Sequence, residues 1–163
     1  MITQTYEAIE LGGGDSPLVH PNLDIQSSLS VDTVCDLTQG IPLEDNSVKT
    51  IFSRDFIEHV SFEQFLSLLS ECKRVLVDNG MLDFIIPDTE QAISNNNEWN
   101  EHVSNVVVGR WEPDNRKHRA WYSTSLIKYI LEKEKWQCET YPYNEDADGC
   151  KEPKFVLWAM RRR

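Results

Sequence analysis

Three groups of residues have the chemistry to hold a small ligand, and each follows a short apolar segment. The first group consists of Glu10, Gly12, Gly13 and Gly14. Glycines adopt positive φ readily and let a ligand approach the backbone closely. Asp24 is the second group, because a carboxylate there can accept hydrogen bonds from both hydroxyls of a ribose. Asp36 with Leu37 is the third, because an acceptor beside a backbone N–H can pair with the edge of adenine.

Each group also has an ordinary structural explanation. A glycine run is typical of a tight exit from a strand, and an isolated Asp is usually solvated. Asp36 could equally cap a turn. The order of the groups favours a binding site, because they and the polar run that begins at Ser53 and Arg54 follow four successive predicted strands.

Three further residues are candidates for catalysis. His59 could be a general base near neutral pH, but its place just before a predicted helix favours a structural role. Asp88 follows a predicted strand and could contact an acceptor or cap the next helix. His118 lies among cations and aromatics that could bind an anionic or sugar-like acceptor, or form a solvated loop packed on the core.

The composition excludes several classes of function. The 163 residues include 16 Lys and Arg against 27 Asp and Glu, a formal net charge of −11. A chain this acidic disfavours nucleic acid and anionic membrane as partners. Because there is no long apolar run and no leader-like segment, and the four cysteines lack metal-site spacing, we expect a cytoplasmic protein with reduced thiols and no metal.

The elements that must position these residues alternate between strands and helices. Apolar patterns predict strands at 8–11, 22–25, 31–36, 48–53 and 81–86. A capping box at Ser61 and Gln64 predicts a helix that ends at 78–80, with Gly80 in the left-handed position after it. A second helix at 124–135 and an antiparallel pair at 137–143 and 155–160, with a turn at Asp148 and Gly149, complete the pattern.

This alternation predicts one domain over residues 1–163 with an α/β, Rossmann-like three-layer sandwich. The sheet is expected to be mostly parallel with a C-terminal antiparallel hairpin. Only ten residues, from Gly12 to Pro21, separate the first two strands. That length predicts a reduced first crossover, with its helix vestigial or absent.

Several segments of the chain match a known pattern in the right order. They are the glycine-rich run from Ile9 to Gly14, the acid Asp24, the stretch from Cys35 to Val48, the Ile57–Val60 segment, and the run from Glu71 to Gly80. Together they resemble class I S-adenosylmethionine-dependent methyltransferases, in particular small predicted methyltransferases that also resemble the methyltransferase type 11 family. The later segment from His118 to Leu131 resembles a conserved helix of the same group.

The resemblance implies a cofactor, S-adenosyl-L-methionine, and an activity. Methyl transfer to a small-molecule or sugar-like acceptor would proceed by direct in-line displacement, with the protein aligning the reactants. The implied cofactor contacts are Glu10 and Gly12, Gly13 and Gly14 at the methionine portion, Asp24 at the ribose, Asp36 and Leu37 at the adenine, and Ser53 and Arg54 beside the sulfonium and acceptor pocket.

Two alternatives to this enzyme remain open. Ser16 stands where the family pattern has its third glycine, which together with the short crossover favours a catalytically degenerate binding or partner module. A nicotinamide-dependent oxidoreductase would need a helix after the glycine run to hold phosphate, and that helix is not predicted. The edges of a reduced sheet are compatible with a homodimer.

Overall fold

The computed structural model describes residues 5–94, 117–143 and 153–161. Within them, seven strands form one sheet. The strands are β1 (Tyr6–Leu11), β2 (Asn22–Asp24), β3 (Thr33–Val34), β4 (Val48–Arg54), β5 (Leu76–Pro87), β6 (Trp136–Pro142) and β7 (Lys154–Arg161). The helices are α1 (Phe62–Val75), α2 (Thr89–Ser94) and α3 (Thr124–Lys133), with short 3₁₀ turns at Leu37–Gln39 and Ile57–His59.

The strand order is β3-β2-β1-β4-β5-β7-β6. The first five strands in this order are parallel, whereas β7 runs antiparallel to both β5 and β6. Because parallel strands are covered on both faces, the central ones carry fully buried aliphatic side chains such as Ile9, Ile51 and Leu82. The predicted α/β, Rossmann-like fold with its antiparallel C-terminal pair is therefore confirmed.

The crossover from β1 to β2 contains no helix, as the ten-residue spacing predicts. Residues 12–21 instead form a loop that returns directly beside β1. The N–H of Glu10 donates to the carbonyl of Pro21 at 2.9 Å, and the N–H of Gly12 donates to that of Leu23 at 2.8 Å. The carboxyl end of β1 is thus bordered by loop backbone rather than by the first turn of a helix.

Helix α1 begins as predicted. The hydroxyl of Ser61 accepts the N–H of Gln64 at 3.2 Å, and the Gln64 side chain accepts the N–H of Ser61 at 2.8 Å. This capping box satisfies two of the otherwise unpaired N–H groups at the helix start. The buried face of α1 presents Phe65, Leu68, Leu69, Cys72 and Val75.

The predicted end of this helix at residues 78–80 is wrong. The helix ends at Val75, and Leu76 already pairs with Val48 as the first residue of β5. Leu76 is 0% exposed, so its burial in the sheet outweighs further helical turns. Asn79, with φ of 62°, takes the left-handed conformation, while a Cβ on Gly80 would lie 2.9 Å from the Cδ2 of Leu76. Gly80 is therefore required for close packing.

The other predicted elements are present with different bounds: β2, β3 and α3 are shorter than predicted, whereas β1, β4, β5 and β7 are longer. Strand β3 spans only Thr33–Val34, because its flanking aspartates bond to backbone: Asp32 accepts the N–H of Asn22, and Asp36 caps the following 3₁₀ turn. The turn predicted at Asp148 and Gly149 lies outside the described residues. None of the helices in the described ranges has the length and apolarity needed to cross a membrane.

Candidate functional site

A cavity of about 500 Å³ opens at the carboxyl ends of the first four strands. Gly12 and Gly14 line it after β1, Asp24 at the end of β2, Asp36 after β3 and Asp55 after β4. The strand order reverses between β1 and β4, which is where ligands bind in open parallel sheets. The structure therefore brings the predicted glycine and aspartate groups to one site.

The glycine loop is held by a side chain that the sequence pattern does not distinguish. Asn22 is 0% exposed, and its Oδ1 accepts the N–H of Gly13 at 3.1 Å. Its Nδ2 donates to the carbonyls of Gly14 at 3.0 Å and Ser30 at 2.9 Å. A buried amide with three backbone partners fixes the loop rigidly. The available signal is a polar residue at the first position of the predicted strand 22–25.

Glu10 lies behind this loop and does not line the cavity. The side chain is fully buried, and its Oε2 accepts the backbone N–H groups of Leu18 and of Val19, the latter at 2.9 Å. The sequence predicts contact between Glu10 and the methionine portion of a cofactor. In the structure its carboxylate instead satisfies the backbone of the loop that replaces the first helix.

Asp24 is held in place while keeping capacity for a ligand. Its Oδ2 accepts the N–H of Gly14 at 3.0 Å, and its Oδ1 accepts the N–H of Gln26 at 2.8 Å. Each carboxylate oxygen offers about two lone-pair sites, so one site on each remains for a further donor. The side chain lines the cavity at 9% exposure. This geometry suits a vicinal diol.

Asp36 both caps a turn and lines the cavity. Its Oδ1 accepts the hydroxyl of Thr38 at 2.7 Å and the N–H of Thr38 at 3.0 Å. These bonds lower the pKa of Asp36. Leu37, which is buried, and Cys35 line the same wall. Partial burial and the neighbouring charges of Asp24 and Asp36 raise the pKa of the Cys35 thiol.

The side chains of Ser53 and Arg54 connect β4 to the end of β1 and to the glycine loop. The buried Ser53 hydroxyl donates to the carbonyl of Leu11 at 3.0 Å, and Nη2 of Arg54 donates to the carbonyl of Ser16 at 2.9 Å. Neither residue lines the cavity, and neither does Gly13. Their positions stabilise the cavity wall, whereas the sequence predicts direct contact with a cofactor.

The residue after Arg54 adds a carboxylate to the cavity. Asp55 has a left-handed backbone, with φ of 51°, and its Oδ2 lies 2.7 Å from Nζ of Lys154 on β7. The Lys154 side chain is only 4% exposed, so a buried ammonium group holds the Asp55 carboxylate in position. Phe56 follows and covers Gly12, where a Cβ would lie 2.4 Å from the ring carbon Cγ.

Comparison with known proteins agrees with this geometry. The family described as "Methyltransferase domain" matches residues 18–84. A SAM-dependent methyltransferase from Methanosarcina mazei is 10% identical, with a TM-score of 0.67 over 99% of this chain and 94% of its own. One from Archaeoglobus fulgidus is 13% identical, with a TM-score of 0.69 over 96% and 86%. A DhpI-SAM-HEP complex is 15% identical, with a TM-score of 0.67 over 96% and 78%.

The resemblance to class I S-adenosylmethionine-dependent methyltransferases is confirmed. The solved structures share the fold at low identity, and the family match shows that the similarity extends to the sequence of residues 18–84, which include Asp24, Asp36 and Asp55. No curated protein matches the chain.

Within this methyltransferase fold, two of the three catalytic candidates lie together and the third lies outside the cavity lining. His59 lines the cavity, and its ring centroid lies 5.1 Å from that of His118 in an edge-to-face arrangement. Asp88 instead caps α2, because its Oδ1 accepts the N–H of Gln91 at 3.0 Å, and it is absent from the cavity lining. The structure thus brings the two histidines together and assigns Asp88 the capping role.

The segment around His118 contributes to both the cavity and the core. Arg119 is exposed and lines the cavity, whereas Tyr122 is buried, with its ring 5.3 Å from that of Phe65. Burial and the nearby carboxylate of Glu58 raise the pKa of the Tyr122 hydroxyl. Part of this segment therefore lies on the cavity wall, and part packs on the core.

Proposed function

We propose that the protein is an S-adenosylmethionine-dependent methyltransferase that acts on a small-molecule or sugar-like acceptor. The observation that carries the proposal is Asp24, an aspartate at the end of β2 held by the N–H of Gly14 on the wall of the cavity. A carboxylate fixed beside a glycine loop can accept the two hydroxyls of a ribose. The bound cofactor would supply an activated methyl group on a sulfonium.

The charge of the lining supports a cationic cofactor that carries no phosphate. The cavity carries four carboxylates, those of Asp15, Asp24, Asp36 and Asp55. Carboxylates and backbone groups stabilise a sulfonium, whereas a phosphate needs cations or a helix N-terminus. Residues 12–21 contain no helix, which disfavours a nicotinamide dinucleotide.

We assign the remaining cofactor contacts by position in the cavity. Asp24 would accept the ribose hydroxyls, and Asp36 with Leu37 would face the adenine. Gly12 and Gly14 would border the methionine portion through their backbone. The volume of about 500 Å³ lies in the range of small-molecule pockets, roughly 300–1,000 Å³.

The protein would contribute mainly alignment of the two reactants for in-line displacement. A base is needed only where the acceptor is a poor nucleophile. Asp55 is the carboxylate on the wall that is placed to take such a proton, and Lys154 holds it in position. We therefore assign proton acceptance to this side of the cavity.

The size and charge of the molecule favour a small acceptor. A net charge of −11 opposes approach to nucleic acid, and Arg119 is the cation on the cavity wall that would attract an anionic or sugar-like group. A cytoplasmic location and a homodimer stay predictions from the sequence.

Calorimetric titration of S-adenosylhomocysteine into the wild-type protein tests the cofactor assignment. We expect micromolar binding that Asp24→Ala weakens by roughly 1–3 kcal/mol as the ribose hydrogen bonds are lost. Since Asp24 also holds Gly14 and Gln26, Asp24→Asn is the second variant, because it keeps one oxygen acceptor. Glu44→Gln, an exposed change outside the cavity, is the matched control and should bind as the wild type does.

Thermal unfolding of each variant separates lost binding from lost folding. No binding to a folded wild-type protein would contradict the enzyme proposal. It would favour the degenerate module, for which Ser16 and the helix-free crossover are the supporting features. Equal binding by wild type and both Asp24 variants would contradict the assigned ribose contact.

A further inference from the structure

Three side chains beside the cavity have the composition of a metal site. Glu58, His59 and His118 each offer one ligand atom, and these atoms lie within 4.8 Å of one another. We propose that they bind a divalent transition-metal ion of the zinc type. The sequence predicts no metal, because the four cysteines lack metal-site spacing, and that expectation did not rest on these three residues.

Backbone hydrogen bonds build this arrangement. The N–H groups of Arg119 and Ala120 donate to the carbonyl of Glu58 at 2.6 and 3.2 Å. The ring Nδ1 of His59 lies 3.3 Å from the carbonyl of Lys117. The segment that carries His118 is therefore fixed against the 3₁₀ turn that carries the other two ligands.

The donor set matches the preferences of such ions. One carboxylate oxygen with two imidazole nitrogens is a common protein ligand set for zinc, and also for iron(II) and manganese(II). Glu58 is only 2% exposed, and a carboxylate in such surroundings is strongly attracted to a divalent cation.

A bound ion would draw the three ligand atoms closer together. Ligand atoms about 2.0–2.2 Å from a tetrahedral ion lie about 3.3 Å from one another, so the cluster must contract by about 1.5 Å at most. In the tautomer that carries its proton on Nδ1, His59 donates to the carbonyl of Lys117, and Nε2 is then the ring atom that can coordinate the ion. This arrangement is the usual outer-shell support of a metal-binding imidazole.

Three protein ligands leave a coordination position open, and His59 lines the cavity. An oxygen donor of a molecule in the cavity, such as a hydroxyl or a carboxylate, can occupy that position. This assignment of the open position rests on the proposed function, since the molecule concerned would be the methyl acceptor. The metal site itself does not depend on it.

The test is titration of the metal-free, full-length protein with Zn²⁺ by calorimetry and with Co²⁺ by visible absorption, without cofactor. We expect one ion per chain and a Co²⁺ spectrum with the intense bands of low coordination number. His118→Ala, and His118→Gln as a variant that keeps a polar side chain, should each weaken binding about tenfold or more. His20→Ala is the matched control, because His20 is exposed and pairs with Asp32 through Nδ1 at 2.6 Å.

Absence of binding by the folded wild type would overturn the proposal. Binding that both His118 variants retain at the affinity of the His20 control would overturn it equally. Titration of S-adenosylhomocysteine into the same metal-free samples keeps the two proposals apart. Cofactor binding without metal binding contradicts only the metal site, and metal binding without cofactor binding contradicts only the methyltransferase proposal.

Discussion

Two loops beside the sheet are held by side chains that hydrogen-bond to their backbone, but only the first of them borders the cavity. The loop of residues 12–21 is fixed by Glu10, Asn22 and Asp24, all of them buried. The loop of residues 41–45 is fixed by Arg74 on α1, which donates to the carbonyls of Ile41 and Leu43 at 2.8 Å each.

The surroundings of the two loops differ. Arg74 is about one third exposed, and its guanidinium also pairs with Glu71 at 2.7 Å and Asp45 at 2.8 Å. Charged pairs at this exposure contribute modestly to stability. The buried groups of the first loop cannot exchange their partners for water, so losing one leaves the other unsatisfied.

The comparison indicates that buried polar side chains, rather than a helix, hold the backbone in place where the ligand would bind. In the first loop, Gly12, Gly14 and Asp24 are both structural members and cavity wall. Stability and binding should therefore change together there. In the second loop neither Arg74 nor Glu71 lines the cavity, so stability alone should change.

The largest effect is expected for Asn22→Ala. The change removes one acceptor and two donor bonds, to Gly13, Gly14 and Ser30, in a fully buried position. At about 1 kcal/mol for each bond, the free energy of unfolding should fall by about 3 kcal/mol. Urea denaturation measures this loss, and calorimetry should show that affinity for S-adenosylhomocysteine falls as well. A destabilised variant with unchanged affinity would contradict the prediction that stability and ligand binding change together in this loop.

A smaller loss of stability is expected for Gly12→Ala, and Gly14→Ala is its matched control. Gly12 and Gly14 both have positive φ, 71° and 54°. A Cβ on Gly12 would lie 2.4 Å from Cγ of Phe56, whereas a Cβ on Gly14 would meet no atom within 4 Å. Gly14→Ala should cost about 1 kcal/mol of backbone strain, and Gly12→Ala about 2–3 kcal/mol because the Phe56 ring must also move.

Thermal and urea unfolding of the two glycine variants side by side measures the difference. Equal destabilisation would mean that the ring of Phe56 adapts freely and that only backbone conformation matters at Gly12. A larger loss for Gly12→Ala would establish that the aromatic side chain after β4 limits how the glycine loop can move.

The parts of the site that the sequence predicts are those set by local pattern. Asp24 and Asp36 follow short apolar segments, and the ends of such segments fall at one edge of a parallel sheet. The capping box at Ser61 is likewise local, and it is present. These residues could be placed because their neighbours in the chain determine their conformation.

The parts that were missed depend on contacts between distant residues. The end of α1 depends on pairing between Leu76 and Val48, and no local signal at Asn79 or Gly80 reveals it. The juxtaposition of Glu58 with His118 depends on how the segment before α3 docks on the 3₁₀ turn. Such contacts are products of the whole fold.

The smallest predicted effect concerns the second loop and its dependence on pH. Hydrogen bonds from Arg74 and from the N–H of Ile41 lower the pKa of Glu71 in the folded protein. The folded state therefore releases this proton at a lower pH than the unfolded chain, whose Glu pKa is about 4.3. The resulting stability is present above that pKa and is lost as pH falls through the lowered folded value.

Glu71→Gln should remove this pH-dependent contribution. At neutral pH the variant should be less stable than the wild type by about 1 kcal/mol, a modest value because the pair is partly exposed. The difference should shrink at a pH below the unfolded value of about 4.3, because the stabilisation is lost as pH falls through the lowered folded pKa. Urea denaturation at neutral pH and at the lower pH measures this difference.

Affinity for S-adenosylhomocysteine should not change, because Glu71 lies outside the cavity lining. A variant that loses affinity as Asn22→Ala is expected to do would show that the two loops are coupled, and a difference independent of pH would mean that the Glu71 charge contributes nothing.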